Sequence, residues 1–351
     1  MSRYYVLKGA LITGLAFAAV QLLPASAQTY PSRNITFVVG FAAGGVADSI
    51  GRIVGQKLTD RLGQTVVVEN RGGAGGNIAA KSVAGSAADG YTVLVTTTAL
   101  AINETLHKNK GFTADDFTSV AIAASSPESL SVPPTMQVNN IGEFLKAMQG
   151  KPINFGSAGA GSGSHIATEY FLKALAKVPA THVPFQGGAP AMNAALAGHI
   201  DLLAATVGGG VAAQINAGKL KGIAMASEKR IAVTPDVPTF AEGGFTNFTA
   251  ASWVGFFVPA KTPPDAIAKA PRRDRCDCQR ARHTAAARIS RLRSSHRDAR
   301  RSAGDVQRRG REVGQDGHNT RIERQLNETN GDATRDVDAV ISAWAKRIGE
   351  P

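Results

Sequence analysis

The chain has 351 residues and a formal net charge of +12, a balance that would suit a nucleic-acid binder. That charge is concentrated. Residues 28–269 hold 18 Lys and Arg against 15 Asp and Glu, whereas residues 271–325 hold 16 Arg, no Lys and 7 acids. The body of the chain is therefore near neutral and no nucleic-acid partner is expected. No later stretch approaches the roughly 20 uninterrupted apolar residues of a membrane span.

Arg3 and Lys8 precede an apolar run from Ala10 to Leu23, and Ala25-Ser26-Ala27 supplies the small-x-small pattern of signal peptidase. Residues 1–27 read as a cleaved signal peptide that delivers the rest to the periplasm. No cysteine directly follows the cleavage pattern, which argues against a lipid anchor.

From Gln28 to Lys269, long enough for two modest domains, strand runs alternate with helices, several of them led by glycine. Ile35 to Val39 is an apolar strand, followed by Gly40-Phe-Ala-Ala-Gly-Gly45 and a helix from about Ala47 to Leu62. Thr65 to Glu69, Tyr91 to Thr96 and Val120 to Ala124 are the next strands. A helix over Ile141 to Met148 and a strand over Ile153 to Ser157 follow. Ser157 to Ser164, with Gly159 and Gly161, then leads into a helix from His165 to Leu175. His182 to Phe185, Ile200 to Ala204, Gly222 to Ala226 and Trp253 to Val258 complete the strands, with helices over Ala189 to Ala197 and Ala212 to Ala217. This alternation predicts an α/β fold of two doubly wound lobes, with parallel sheets covered on both faces. We assign residues 28–126 and 236–269 to the first lobe and 127–235 to the second.

Ligands of such sheets sit beyond the carboxyl ends of the strands, where loops meet helix N-termini. In the first loop, Gly44 and Gly45 let backbone approach a ligand, and the next helix turns free N–H groups and its positive end toward an anion. Asp48 either caps that helix or accepts a hydrogen bond from the ligand. The loop from Ser157 repeats the device with Gly159 and the hydroxyls of Ser157, Ser162 and Ser164. Thr97 ends a strand on the cleft side. Two such loops would hold a carboxylate without any arginine. Neither carries the Lys-Ser/Thr of a nucleotide P-loop, and neither is a clean G-x-G-x-x-G.

The rival reading is a hydrolase or other enzyme acting on a small anion in the interlobe cleft. No G-x-S-x-G elbow supports it, and Ser162 has no base specified by sequence. His165 is read as packing or capping, and Gly187-Gly188 as a turn. We expect no catalytic residue, no metal and no cofactor.

Residues 271–325 lack Phe, Tyr, Trp and Met, hold both cysteines, Cys276 and Cys278, and show no apolar period. Read from the second base of each codon, Pro271 through Arg280 permit Leu-Asp-Glu-Ile-Asp-Ala-Ile-Val-Asn-Ala. Val306 through Val313 permit Phe-Ser-Ala-Glu-Val-Ala-Lys-Trp, and a stop falls across Leu326 and Asn327. We read 270–325 as an out-of-frame segment and 326–351 as read-through.

Several segments, in order, resemble the Bug family, the extracytoplasmic receptors of tripartite tricarboxylate transporters. They are Phe41-Ala-Ala-Gly-Gly45 with Asp48, Val68-Glu-Asn-Arg71 with Gly73-Ala-Gly-Gly-Asn77, Ala88-Asp-Gly-Tyr-Thr92 and Phe155-Gly-Ser-Ala-Gly159. His182-Val-Pro-Phe185 with Gly187-Gly-Ala-Pro190, Ala217-Gly-Lys-Leu220 and Asp236-Val-Pro-Thr239 continue the series. The resemblance implies a type II periplasmic-binding-protein (Venus flytrap) fold that captures a small organic carboxylate as a monomer. It also implies delivery to membrane transporter subunits or a sensor kinase. The family's carboxylate pincers fall on Phe41 to Asp48, through Ala43, and on Ser157 to Ser162, through Ala158. Thr206 opens Thr206-Val-Gly-Gly-Gly210, the lobe-crossing stretch that contributes to specificity in relatives and is unusually rich in glycine here. Gly40 stands where the family commonly has proline.

Overall fold

The computed structural model describes residues 30–263. The signal-peptide reading of 1–27, the out-of-frame reading of 270–325, with Cys276 and Cys278, and the read-through reading of 326–351 lie outside the described residues.

The first sheet has the order β2-β1-β3-β9-β4, from Val66–Asn70, Ile35–Val39, Thr92–Thr97, Ala251–Pro259 and the first part of Phe117–Val132. Strands β1, β2 and β3 run parallel, and β9 is antiparallel to both β3 and β4. The second sheet sets β6 (Ala180–Pro184), β5 (Ile153–Ser157) and β7 (Leu202–Thr206) parallel to one another. The last part of β4 lies antiparallel to β7 and to β8 (Lys221–Met225). The sheets are thus mixed, which corrects the all-parallel expectation. The lobe-crossing strands β4 and β9 pair antiparallel with each other and run against the βαβ strands beside them.

Alternation along each strand explains the apolar runs. Phe37 and Val39 point into one cluster with Val54 and Leu58, while Val38 points into another with Ala79, Val83 and Leu94. In the second lobe Leu202 and Ala204 face Phe144, Phe155 and Phe171, and Leu203 and Ala205 face Ala191 and Val211. Sheets buried on both faces favour such unbroken Val/Ile/Leu strands.

Helix α1 (Val46–Leu62) lies close on the first sheet because Gly55 presents no side chain there: a Cβ would sit 3.2 Å from Val66 Cγ1. It ends at Gly63, in the left-handed region at φ 63°, the usual device of a helix C-terminus. Helices α2 (Asn77–Ala84) and α3 (Ala99–Leu106) cover the opposite face. The second lobe carries α4 (Ile141–Ala147), α5 (Gly163–Tyr170), α6 (Gly188–Leu196) and α7 (Gly209–Asn216). After Tyr170 the chain runs on through a π-helical turn, Phe171–Leu175.

One strand joins the lobes. Within β4, Pro127 pairs with Ala251 in the first sheet and the next residue, Glu128, pairs with Thr206 in the second. Proline has no N–H to give to a ladder, so it suits a point where one ladder ends. Glu128 N–H is taken by Ala250 and its carbonyl accepts Ala226 N–H. The outgoing and returning chains are thereby stitched together at the crossing.

Candidate ligand-binding cleft

Between the lobes lies a narrow cleft. Four helix N-termini open onto it. Gly44, Gly45, Val46 and Ala47 come from the start of α1, Ser162, Gly163 and Ser164 from α5, Gly188 and Ala189 from α6, and Gly208 and Gly210 from α7. No side chain caps α1, α6 or α7. At α5 the Ser162 hydroxyl accepts the His165 N–H and shares a hydrogen bond with the Ser164 hydroxyl. The first N–H groups of a helix have no partner within it and carry its positive end. Among the described residues, no Lys, Arg, His, Asp or Glu lines the cleft, so these backbone groups set its electrostatic character. The walls are completed by Phe41, Thr97, Ala158, Met192, Thr206 and Ser252.

The lobes are in contact across the cleft. Ala42 donates its N–H to Gln186 carbonyl at 2.8 Å, and a Cβ on Gly44 would lie 3.3 Å from Ala189 Cβ.

Of the residues singled out from sequence, Phe41, Gly44, Gly45, Thr97, Ala158, Ser162 and Thr206 line this cleft, and Ala43, Asp48, Ser157 and Gly159 do not. Ala43 is exposed. Asp48 is buried at 3 % exposure with its carboxylate already occupied. Its Oδ2 accepts Gly44 N–H at 2.9 Å and Arg52 Nε–H at 3.1 Å, and its Oδ1 accepts the Asn70 amide at 2.9 Å. It holds the first loop in shape. Burial raises its pKa, but the bonds from Arg52, Gly44 and Asn70 outweigh burial and leave it below the ordinary value.

Ser157 plays the matching part behind the second loop. It is fully buried, accepts Gly159 N–H at 3.2 Å and shares a 2.7 Å hydrogen bond with His182 Nε2. The His182 ring stacks on His165, centroids 3.8 Å apart, and His165 Nε2 meets Glu169 at 2.9 Å. This Ser–His contact is the nearest thing to a nucleophile and its base, yet Ser157 has no exposed surface on which a substrate could react. His165, Glu169 and His182 bring their ligand atoms within 4.8 Å of one another, a spacing that suits a cation. But His165 Nδ1 accepts Gly161 N–H at 3.2 Å, which places the ring proton on Nε2, facing Glu169. That nitrogen has no lone pair for a metal. The cluster is a buttress under the loop.

Sequence reasoning missed α6 as a site element, having read Gly187-Gly188 as a turn. It is a turn, but one that aims a helix N-terminus at the cleft.

Residues 50–278 match the tripartite tricarboxylate transporter family receptor. The chain belongs to this family. As a receptor it is 33 % identical over 279 residues to the protein BugT of Bordetella pertussis, spanning 76 % of this chain and 82 % of that one. It resembles MatC from Rhodopseudomonas palustris, solved with bound malate, at 33 % identity and a TM-score of 0.63, covering 68 % of this chain and 82 % of that one. An R. palustris protein solved with adipate aligns over 91 % of this chain and 97 % of its own, with 27 % identity and a TM-score of 0.65. The two-lobed solute-receptor fold expected from sequence stands. No helix among the described residues is long and apolar enough to cross a membrane.

Proposed function

We propose that this receptor captures a small organic carboxylate reversibly, without chemistry, and presents it in the closed form to membrane transporter subunits. The observation that carries this reading is the convergence of four helix N-termini on a cleft with no charged side chain among the described residues. Such a site favours an anion by dipoles and N–H donors alone. The malate and adipate held by relatives have the same chemistry. Residues 1–27 would serve as the signal that takes the chain to the periplasm.

Phe41, Gly44, Gly45, Thr97, Ala158, Ser162 and Thr206 would touch the ligand. Ala43, Asp48, Ser157 and Gly159 would hold the two loops in register. A ligand bound only by the folded state raises the melting temperature, so a thermal-shift screen of mono-, di- and aromatic carboxylates is the test. A shift with at least one acid and none with its uncharged amide is expected. No shift with any acid, together with turnover of an ester or amide, would favour the hydrolase reading.

A further inference from the structure

Glu128 lies directly behind the cleft wall. The residue is 4 % exposed and stands where β4 passes from one sheet to the other. Oε1 accepts Ser252 hydroxyl at 2.5 Å and Thr206 hydroxyl at 3.1 Å, and both residues also line the cleft. Oε2 is buried without a hydrogen-bond partner. A Cβ on Gly163 would fall 2.7 Å from Oε1, so the carboxylate sits against the first turn of α5, one of the four helix ends that open onto the cleft.

Among the described residues no cation offsets it. Strands β7 and β9 contain no titratable residue, and the one on β8, Lys221, pairs with Val132 at the far end of β4. Helix α5 contributes His165 and Glu169, which bond each other, and the Thr98 hydroxyl before α3 bonds Ser252. On α3 itself, Glu104 is paired with Lys110. Burial drives the Glu128 pKa up to about 7, against the two hydroxyls, which lower it. A second negative charge brought to the same helix end disfavours the ionised form further.

We propose that Glu128 couples ligand capture to proton uptake: an organic anion seated against α5, Thr206 and Ser252 is bound by the receptor whose Glu128 is protonated, the proton coming from solvent. The protonated carboxyl keeps an acceptor for the two hydroxyls and removes the like charge behind the ligand. By linkage, affinity then falls by roughly tenfold per pH unit above the free-state pKa of Glu128. The receptor binds best on the acidic side of neutrality and releases a proton with its ligand. This rests on the carboxylate reading above, and the test separates the two.

The experiment is calorimetry of the full-length receptor at pH 7.5 with malate, adipate and a panel of mono-, di- and aromatic carboxylates, in two buffers of different ionisation enthalpy. The expected result is a buffer-dependent heat equivalent to uptake of up to one proton per ligand, absent in Glu128→Gln. Binding with buffer-independent heats overturns the coupling and leaves the carboxylate reading standing. Absence of binding across the panel overturns both. Should Glu128→Gln fail to fold, the two-buffer comparison on the unaltered receptor reads the same quantity. A ¹³C-carboxyl titration of Glu128 in the free receptor adds an arm that needs no ligand: a midpoint near 7 supports the proposal, and one in the ordinary carboxylate range overturns it.

Discussion

Ala42 in the first lobe and Gln186 in the second are joined by a single backbone hydrogen bond of 2.8 Å, and the next residue, Gly187, keeps that bond accessible. Gly187 is extended, with φ 162°, so other residues fit its backbone. A Cβ there, however, would lie 2.8 Å from Ala42 N and 3.1 Å from Ala42 Cβ. Gly187→Val is therefore expected to fold and to wedge the lobes apart. Loss of the bond alone is worth about 1 kcal/mol, and the wider gap between Gly44 and Ala189 should bring the affinity deficit to tenfold or more. Small-angle scattering should show the parent compacting with ligand, as a hinge closure requires, and the variant failing to do so. Unaltered affinity in Gly187→Val would mean that this bond plays no part in closure.

Gly45 offers the cleanest probe of the first loop. Gly44 and Gly159 sit at φ 82° and 124°, where any side chain adds backbone strain of about 1–3 kcal/mol whatever it does to a ligand. Gly45 sits at φ −81°, and a Cβ there meets nothing nearer than 3.5 Å. Gly45→Val should melt close to the parent while its methyl groups occupy the space in front of Gly188. We expect at least a tenfold loss of affinity by calorimetry, and retained affinity would remove the first loop from the site.

Asp48 should act on stability before it acts on binding. Asp48→Ala strands the Gly44 N–H, the Asn70 amide and the Arg52 guanidinium, and should cost on the order of 2 kcal/mol in denaturant unfolding. Its pKa is lowered in the folded state, so its contribution is present above the unfolded value of 3.8 and fades as pH falls through the still lower folded value. The difference between parent and Asp48→Ala should therefore shrink in strong acid. A variant as stable as the parent would show that the first loop is ordered by something else.

Glu128 and His182 should impose opposite pH dependences on unfolding. Glu128 is raised from 4.5 to about 7 by burial, so the folded state holds its proton longer. Its stabilisation is complete below about pH 4.5 and is lost as pH rises to about 7, by on the order of 3 kcal/mol. His182 is lowered from 6.5 to about 4, first by burial and then by the neighbouring His165. Its contribution is present above pH 6.5 and is lost as pH falls toward 4. Unfolding curves at pH 5 and pH 8 should show Glu128→Gln gaining relative to the parent at pH 8 and His182→Asn gaining at pH 5. A Glu128→Gln difference that does not change with pH would place its carboxyl in the ordinary range.

Much of this was legible in the sequence because the signals were local. Ile35 to Val39 and the Gly44-Gly45 turn announce a buried strand feeding a helix, and the structure places them so. The long strand β4 was read only over Val120 to Ala124. Its second half, Ser125-Ser126-Pro127-Glu128, lacks strand propensity and is held by neighbours far away in the chain, Thr206 and Ala250. Helices α2 and α3 went unread because Gly72 to Gly76 and Thr96 to Thr98 looked like loop and strand, and the short helices after them bury small residues such as Ala79 and Ala80. The bracing positions of Asp48 and Ser157 were not legible for a related reason. Sequence places a polar side chain beside a loop but does not tell whether it faces the cleft or, as both do, braces the loop from behind.

The central claim is that backbone N–H groups at four helix starts hold an anion. Amide chemical shifts in ¹⁵N-labelled receptor, titrated with an acid found in the thermal screen, address it most directly. Saturable shifts are predicted at Val46, Ala47, Gly163, Ser164, Gly188, Ala189 and Gly210, with smaller responses at the bracing residues Asp48 and Ser157. Shifts confined to other surfaces, or centred on a lysine or arginine side chain while these amides stay still, would contradict it.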